Sequence, residues 1–288
     1  LDHTTSPAIA EQVPPRIAPL LGTGCFGFRP TLCIHGMLAE IAYCAGSEGL
    51  TVITQDDIKD AFPSVIIEHA VEDYSRTTID RRLLRLVEVI LRGHDQSHQV
   101  GIDQGDPLSP PTLNLRLHYC LDLPALGSAD PGTTHRYRYV DNLVYQSRSV
   151  TGGYEALRQD RALLEQAVFQ LKGKGNHPID LQRQGARINI LGFDLSWKED
   201  GVQFGLNRKA IRKLEGRLEK VHEGPYPVDT AREVIQGWIE AQGPAFESGG
   251  VCQILDRIQG VAARAGFREV GAREELKDRV ESALYHWN

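Results

Sequence analysis

Apolar positions recur at helical spacing in some stretches and alternate in others, and this pattern divides the chain into elements. Over residues 31–48, Leu32, Met37, Leu38, Ile41 and Ala42 fall at helical spacing and predict a helix. Leu50-Thr-Val-Ile-Thr alternates and predicts a strand leading into Gln55-Asp-Asp-Ile. Residues 66–93 predict one helix, with Leu83, Leu84, Leu86, Val87, Ile90 and Leu91 apolar and Gly93 as its stop. Ser109-Pro110-Pro111 predicts a cap and first turn of a helix to about Leu121. Residues 136–146 read as a hairpin with Asp141-Asn142 near its tip, since Asp and Asn tolerate turn geometry. A helix over 155–172 follows, then a strand pair from Ile188 to Trp197 interrupted at Gly192. From Asn207 onward the pattern is helical, whereas residues 1–24, rich in Pro, Gly and Thr, read as a loose N-terminal arm. Strand, helix, hairpin, helix, strand is the order of a split βαβ, ferredoxin-like sheet. The predicted class is therefore α+β.

Composition narrows the setting more than the chemistry. Hydrophobic residues make up 41% of the 288, which suits a soluble protein with an ordinary core. No apolar run reaches the roughly 18 residues a membrane span needs, and Leu1 to Ala10 carries no signal-peptide pattern. The five cysteines are odd in number and contain no CxxC pair, which argues against a disulfide framework and a zinc ribbon. A reducing, cytoplasmic setting is the expectation. The ten histidines show no HExxH spacing, and there is no Walker-type glycine loop. Net charge is -6, unexpected for a protein that binds phosphates through Lys and Arg.

Two acidic clusters fall where strands end: Asp56-Asp57-Ile58-Lys59-Asp60 and Asp141-Asn142. Acids at strand ends are commonly just solvated. Adjacent antiparallel strands, however, bring Asp57 and Asp141 side by side. Two such carboxylates repel unless a cation or a proton intervenes. Mg²⁺ suits them, because it prefers oxygen ligands and keeps positions open for phosphate. Two ions roughly 4 Å apart clamp the attacking and leaving oxygens of an in-line phosphoryl transfer.

Four motifs in order add to this reading. They are Asp57-Ile-Lys-Asp-Ala-Phe-Pro-Ser-Val65, Gly101-Ile-Asp-Gln-Gly-Asp-Pro-Leu-Ser-Pro110, Tyr139-Val-Asp-Asn142 and Ile190-Leu-Gly-Phe-Asp-Leu-Ser-Trp197, with Phe26-Gly-Phe-Arg-Pro30 upstream. Together they resemble the reverse transcriptases of the bacterial group II intron and retron-like type over about residues 25–197. The resemblance implies a right-hand polymerase palm, a ferredoxin-like antiparallel sheet with helices on one face, with reduced fingers over 25–205 and a helical thumb over 206–288. It implies RNA-directed DNA synthesis, by two-metal transfer of dNTPs onto a primer 3′-hydroxyl. Asp57 and Asp141 would hold two Mg²⁺ ions, Mn²⁺ being an alternative, with the Ile58 carbonyl as a further ligand. Asp60 and Ala61 would lie under the triphosphate. Phe62 would exclude a 2′-hydroxyl, and a core aromatic is its plainer reading. Gln104 and Gly105 would meet nucleotide and template. Lys172 or Lys174 would assist pyrophosphate departure. Arg29 and Tyr139 would lie along the nucleic acid, an RNA template paired with a DNA or RNA primer. Intron mobility, retron synthesis and phage defence all use such palms.

Two departures bear on activity. Asn142 stands where the family has a second Asp, which removes one negative charge beside the metals. Only Arg16 is basic among the residues before Phe26. The expectation is that the fingers are largely missing or that a protein partner supplies them. A catalytically weak palm that binds nucleic acid or serves assembly is thus the alternative. In the tail, Ile211, Leu214, Leu218 and Val221 share one side of a helix capped by Asn207, while Arg208, Lys209, Arg212 and Lys213 lie largely elsewhere. Those four are the candidates for tracking a phosphate backbone, and a solvated face of i,i+4 pairs is the bland alternative.

Overall fold

The computed structural model describes residues 5–30, 32–128, 134–173, 177–199, 201–247, 249–270 and 272–287. The alternating stretch after residue 50 forms strand β1 (Val52–Lys59), with Val52, Ile53 and Ile58 buried. The predicted hairpin forms strands β2 (Thr134–Tyr139) and β3 (Asn142–Ser147). β3 pairs antiparallel with both β2 and β1. On the other edge of β1 lie two short strands, β4 (Gln170–Leu171) and β5 (Ile179–Asp180), also antiparallel. The spatial order β2-β3-β1-β4 is the one a split βαβ unit produces.

Helices cover both faces of this sheet. Neighbouring strand residues point to opposite faces. Leu143 and Tyr145 belong to a core built with helices α1 (Thr5–Ile17), α3 (Ile67–Ser75), α4 (Arg81–Arg92), α5 (Ser109–Leu117) and α7 (Val150–Gln166). Gln146 points the other way and donates to the carbonyls of Ile41 and Leu50, 2.8 Å each, at helix α2 (Ile34–Ser47) and the loop after it. The expectation of helices on one face is corrected by α2.

Several boundaries also differ from the sequence reading. The arm contains α1, because Ile9, Val13 and Ile17 follow at helical spacing and pack into the core. The single helix predicted over 66–93 is two. It breaks after Ser75, and Asp80 starts α4 by accepting from the N–H groups of Arg82 and Leu83. Past α5 the chain continues through a π-helical turn (His118–Asp122) into α6 (Leu123–Ser128), beyond the predicted stop. α7 begins early, where Ser149 caps the Gly152 N–H, and ends early, because Gln170 and Leu171 pair with β1.

Leu181–Asn288 forms a second compact unit. The strand pair at 188–197 appears as β6 (Arg187–Ile190) and β7 (Phe193–Lys198), joined by a third strand, β8 (Gly201–Leu206). Four helices follow: α8 (Arg208–Val221), α9 (Pro227–Ala241), α10 (Val251–Arg264) and α11 (Arg273–Trp287). Asn207 caps α8 by accepting from the Lys209 N–H, as its position suggested. This unit begins at residue 181, not at 206 where the helical pattern starts. The reason is packing: β8 runs directly into α8, and Phe204 meets Trp287 edge-on at 5.2 Å.

Candidate active site

Strand pairing builds the site. The β1–β3 register sets Asp57 opposite Asn142, and the Ile58 N–H donates to the Asp141 carbonyl at 2.9 Å. Both acids therefore sit at one end of one strand pair. By register, Asp57 and Asn142 share a face with Gln146, opposite to the face that carries Leu143 and Tyr145. Asp57 stays partly exposed at 39%.

The electrostatics are those of a crowded anionic pair. The Asp141 carboxyl is pushed above the ordinary carboxylate range by burial first and by the charge of Asp57 as well; Lys172 and Asn142 act in the opposite direction. The Lys172 ammonium lies 3.2 Å from Asp57 Oδ2. Its backbone N–H also donates to the Asp57 carbonyl, at 2.8 Å. Asn142 does not aim a carbonyl at the pair. Its Nδ2 donates to Asp141 Oδ1 at 3.2 Å. Asp56 serves structure, accepting from the N–H groups of Asp57 and Gly173. Burial pushes its carboxyl up as well.

A buried network fixes the turn that carries Asp141. The turn is Val140–Asp141, and the residue with left-handed backbone is Val140, at φ 62, not Asp141 or Asn142. A β-branched residue there is strained and needs its surroundings to hold it. The fully buried Arg138 guanidinium does so. It donates to the Val140 carbonyl (3.1 Å), to Asn114 Oδ1 (2.8 Å) and to both oxygens of Asp122. Asn114 in turn donates to the Gly27 carbonyl at 2.7 Å. Gly27 lies so close to the turn that a Cβ there would stand 2.5 Å from the Val140 nitrogen. The sequence reading did not single out Arg138 or Asp122. Their ion pair spans sixteen positions, so local charge spacing carries no sign of it.

The expected nucleotide residues cluster by backbone ties. Phe62 is half-buried against the core. Its carbonyl accepts from the Ile102 N–H at 3.1 Å, and the Val65 carbonyl accepts from Gly101 at 2.8 Å. This ladder brings the loop of Gln104 and Gly105 alongside; both residues are exposed, and Gly105 has φ 110 with open space around it. Asp60 is exposed at φ 46, while the Ala61 side chain is buried. Tyr139 lies half-exposed at the end of β2. Arg29 is drawn inward: its guanidinium donates to the carbonyls of Gly22, Cys25 and Ala18. Lys174 lies outside the described residues.

In the second unit, Arg208, Lys209, Arg212 and Lys213 are all exposed on α8. Arg208 and Arg212 line an open cavity of about 710 Å³ with Arg187, Arg257 and Arg264, partners that the pattern of α8 alone did not reveal. Asp194 and Asp256 are the acids on its wall. A more enclosed cavity, about 280 Å³, lies behind β2 and includes neither Asp57 nor Asp141.

No protein-family model and no curated protein matches the chain. Its mixed α+β fold, with antiparallel sheets and packed helices, is similar to that of solved polymerase-like structures. Among them are Candida tropicalis telomerase without ligand (TM-score 0.54, 8% identity) and the same enzyme with a TWJ fragment of telomeric RNA (0.53, 10%). Candida albicans telomerase with that RNA fragment gives 0.52 at 8% identity. These matches cover 98–100% of this chain and 54–58% of the telomerases, so the chain spans little more than half their length.

Two outcomes follow from the geometry. Gly27→Ala should displace the Val140–Asp141 turn without unfolding the chain, read by faster amide hydrogen exchange at Ile58, whose N–H donates to the Asp141 carbonyl, beside circular dichroism. Charge reversal at Arg212 and Arg257 together should lower the salt concentration at which the protein elutes from an immobilised polyanion such as heparin, and a cavity that makes no electrostatic contribution would leave elution unchanged.

Proposed function

We propose that the chain is a reverse transcriptase of the bacterial group II intron or retron-like type. In this reading the first unit is a palm with reduced fingers and the second a thumb that grips template and primer. One observation carries it: the β1–β3 register sets Asp57 opposite Asn142 and the Ile58 N–H meets the Asp141 carbonyl, so both acids lie at one strand end. The likeness of fold to telomerase, a reverse transcriptase-related fold, supports it.

The residues fit divalent metal. The donors are hard oxygens, and Asp141 is held above its ordinary range by burial first and by the charge of Asp57 as well. Asp57 and Asp141 would hold Mg²⁺, and bound ions would activate the primer 3′-hydroxyl and offset charge on the departing pyrophosphate. The rest falls to the chain. Phe62 would set the sugar preference, the open backbone at Gly105 would let a nucleotide approach closely, and Asn142 would orient the Asp141 carboxylate through its amide. That amide also favours a second reading, in which the palm binds nucleic acid without extending it, since Asn142 adds no charge to the site.

Primer extension on RNA with dNTPs and Mg²⁺ separates the two. Extension that falls to background in Asp57→Ala supports the polymerase; duplex binding with no extension supports the second reading. Phe62→Ala should relax discrimination against ribonucleotides by about tenfold or more. Asn142→Asp should lower the Mg²⁺ concentration needed for half-maximal extension, and an unchanged requirement would count against Asn142 as the weak point. Because the Asp141 carboxyl sits high, protons should compete with Mg²⁺ above the usual carboxylate range, so affinity should rise with pH through that interval.

A further inference from the structure

We propose that Cys44, Glu48 and His135 form a zinc-binding site on the first unit, distinct from the carboxylates at the end of β1. One ligand atom from each, a sulfur, a carboxylate oxygen and a ring nitrogen, lies within 4.8 Å of the other two. Cys44 is in the last turn of α2 and Glu48 is its C-cap, four residues on and therefore on the same side. His135 comes from β2, ninety-odd positions away, so the cluster exists only through the fold.

The imidazole is already oriented. Nε2 of His135 faces Glu48 Oε2 at 3.5 Å, while Nδ1 lies 3.4 Å from the Tyr137 hydroxyl. That hydroxyl donates to Gln146 Oε1 at 3.0 Å, and the Gln146 amide is anchored on the carbonyls of Ile41 and Leu50. A histidine with one nitrogen held by a fixed polar group and the other turned toward the Glu48 carboxylate has the support that metal-binding histidines need. The donor set decides the ion. Thiolate, imidazole and carboxylate together suit tetrahedral Zn²⁺, whereas Mg²⁺ takes oxygen ligands almost alone. Cys44 is buried and His135 and Glu48 are about one-third exposed, so an ion can reach the site from solvent. Glu40, one turn before Cys44 on α2, or a water would complete four-coordination. A bound ion would fasten the end of α2 to the strand that delivers Asp141.

The test uses the full chain, stripped with a chelator and titrated with ZnCl₂ or CoCl₂ in excess Mg²⁺. The expected result is one zinc per chain by elemental analysis, and a near-ultraviolet thiolate-to-cobalt band in the Co²⁺ form. Cys33→Ser with Cys252→Ser, and separately Asp57→Ala, should keep both signals. Cys44→Ser should abolish the band. His135→Gln and Glu48→Gln, at partly exposed positions that leave folding intact, should each weaken Zn²⁺ affinity by at least about tenfold, and Tyr137→Phe by about tenfold. No zinc retained against Mg²⁺, or a cobalt band that survives Cys44→Ser, would overturn the site and leave a plain His135–Glu48 ion pair.

Discussion

A guanidinium with no access to water organises the first unit. Removing the Arg138 charge from solvent is costly, and it is tolerable only because every side of the group meets a partner: Asp122, Asn114, Cys25 and the Val140 carbonyl. Burial works against its charge, yet Asp122 and the other partners outweigh that, and the group titrates above its ordinary value. Because the guanidinium cannot move without stranding a charge, whatever it touches is fixed too. It touches the strained turn before Asp141 and, through Asn114, the Gly27 backbone packed on that turn. Placement of one carboxylate thus rests on a buried ion pair some distance from it.

What the sequence revealed follows from what is local. The alternation of β1 and the hairpin of β2 and β3 are short-range signals, and the register that brings Asp57 to Asp141 follows from them. The left-handed residue of the turn was misread because local propensity favours Asp or Asn, while the tertiary network holds Val140 there instead. The split between α3 and α4 falls in the polar stretch Arg76-Thr77-Thr78, and Asp80 caps the second helix, a break that the apolar periodicity of residues 83–91 did not reveal. β8 was missed although its partner β7 ends only two residues before it: Val202, Phe204 and Leu206 alternate, but the run is short and carries two glycines, and its packing partner Trp287 lies far along the chain. The resemblance put Arg29 along nucleic acid, whereas backbone carbonyls claim its guanidinium in the fold. The Cys44, Glu48 and His135 cluster could not be found by ligand spacing, since one helix end and one strand contribute to it.

Net charge illustrates the same separation of scales. A value of -6 would discourage any assignment to nucleic acid, yet five arginines converge on one cavity of the second unit. Long-range steering depends on the sum of charges, whereas a phosphate meets the local field within a screening length of about 8 Å. The total is negative, while one cavity wall of the second unit carries five arginines against two aspartates.

The ion pair between Lys172 and Asp57 has a thermodynamic meaning beyond its geometry. It is a tethered monovalent tenant, delivered to the carboxylates by the backbone hydrogen bond between Lys172 and Asp57. With it in place the charge of Asp57 is partly offset, so the fold does not depend on a divalent ion to relieve repulsion between two acids. The corollary is an eviction step. In the proposed polymerase each arriving cation would have to displace an ammonium that cannot diffuse away, and loading would therefore be coupled to freeing a lysine at the mouth of the same strand end.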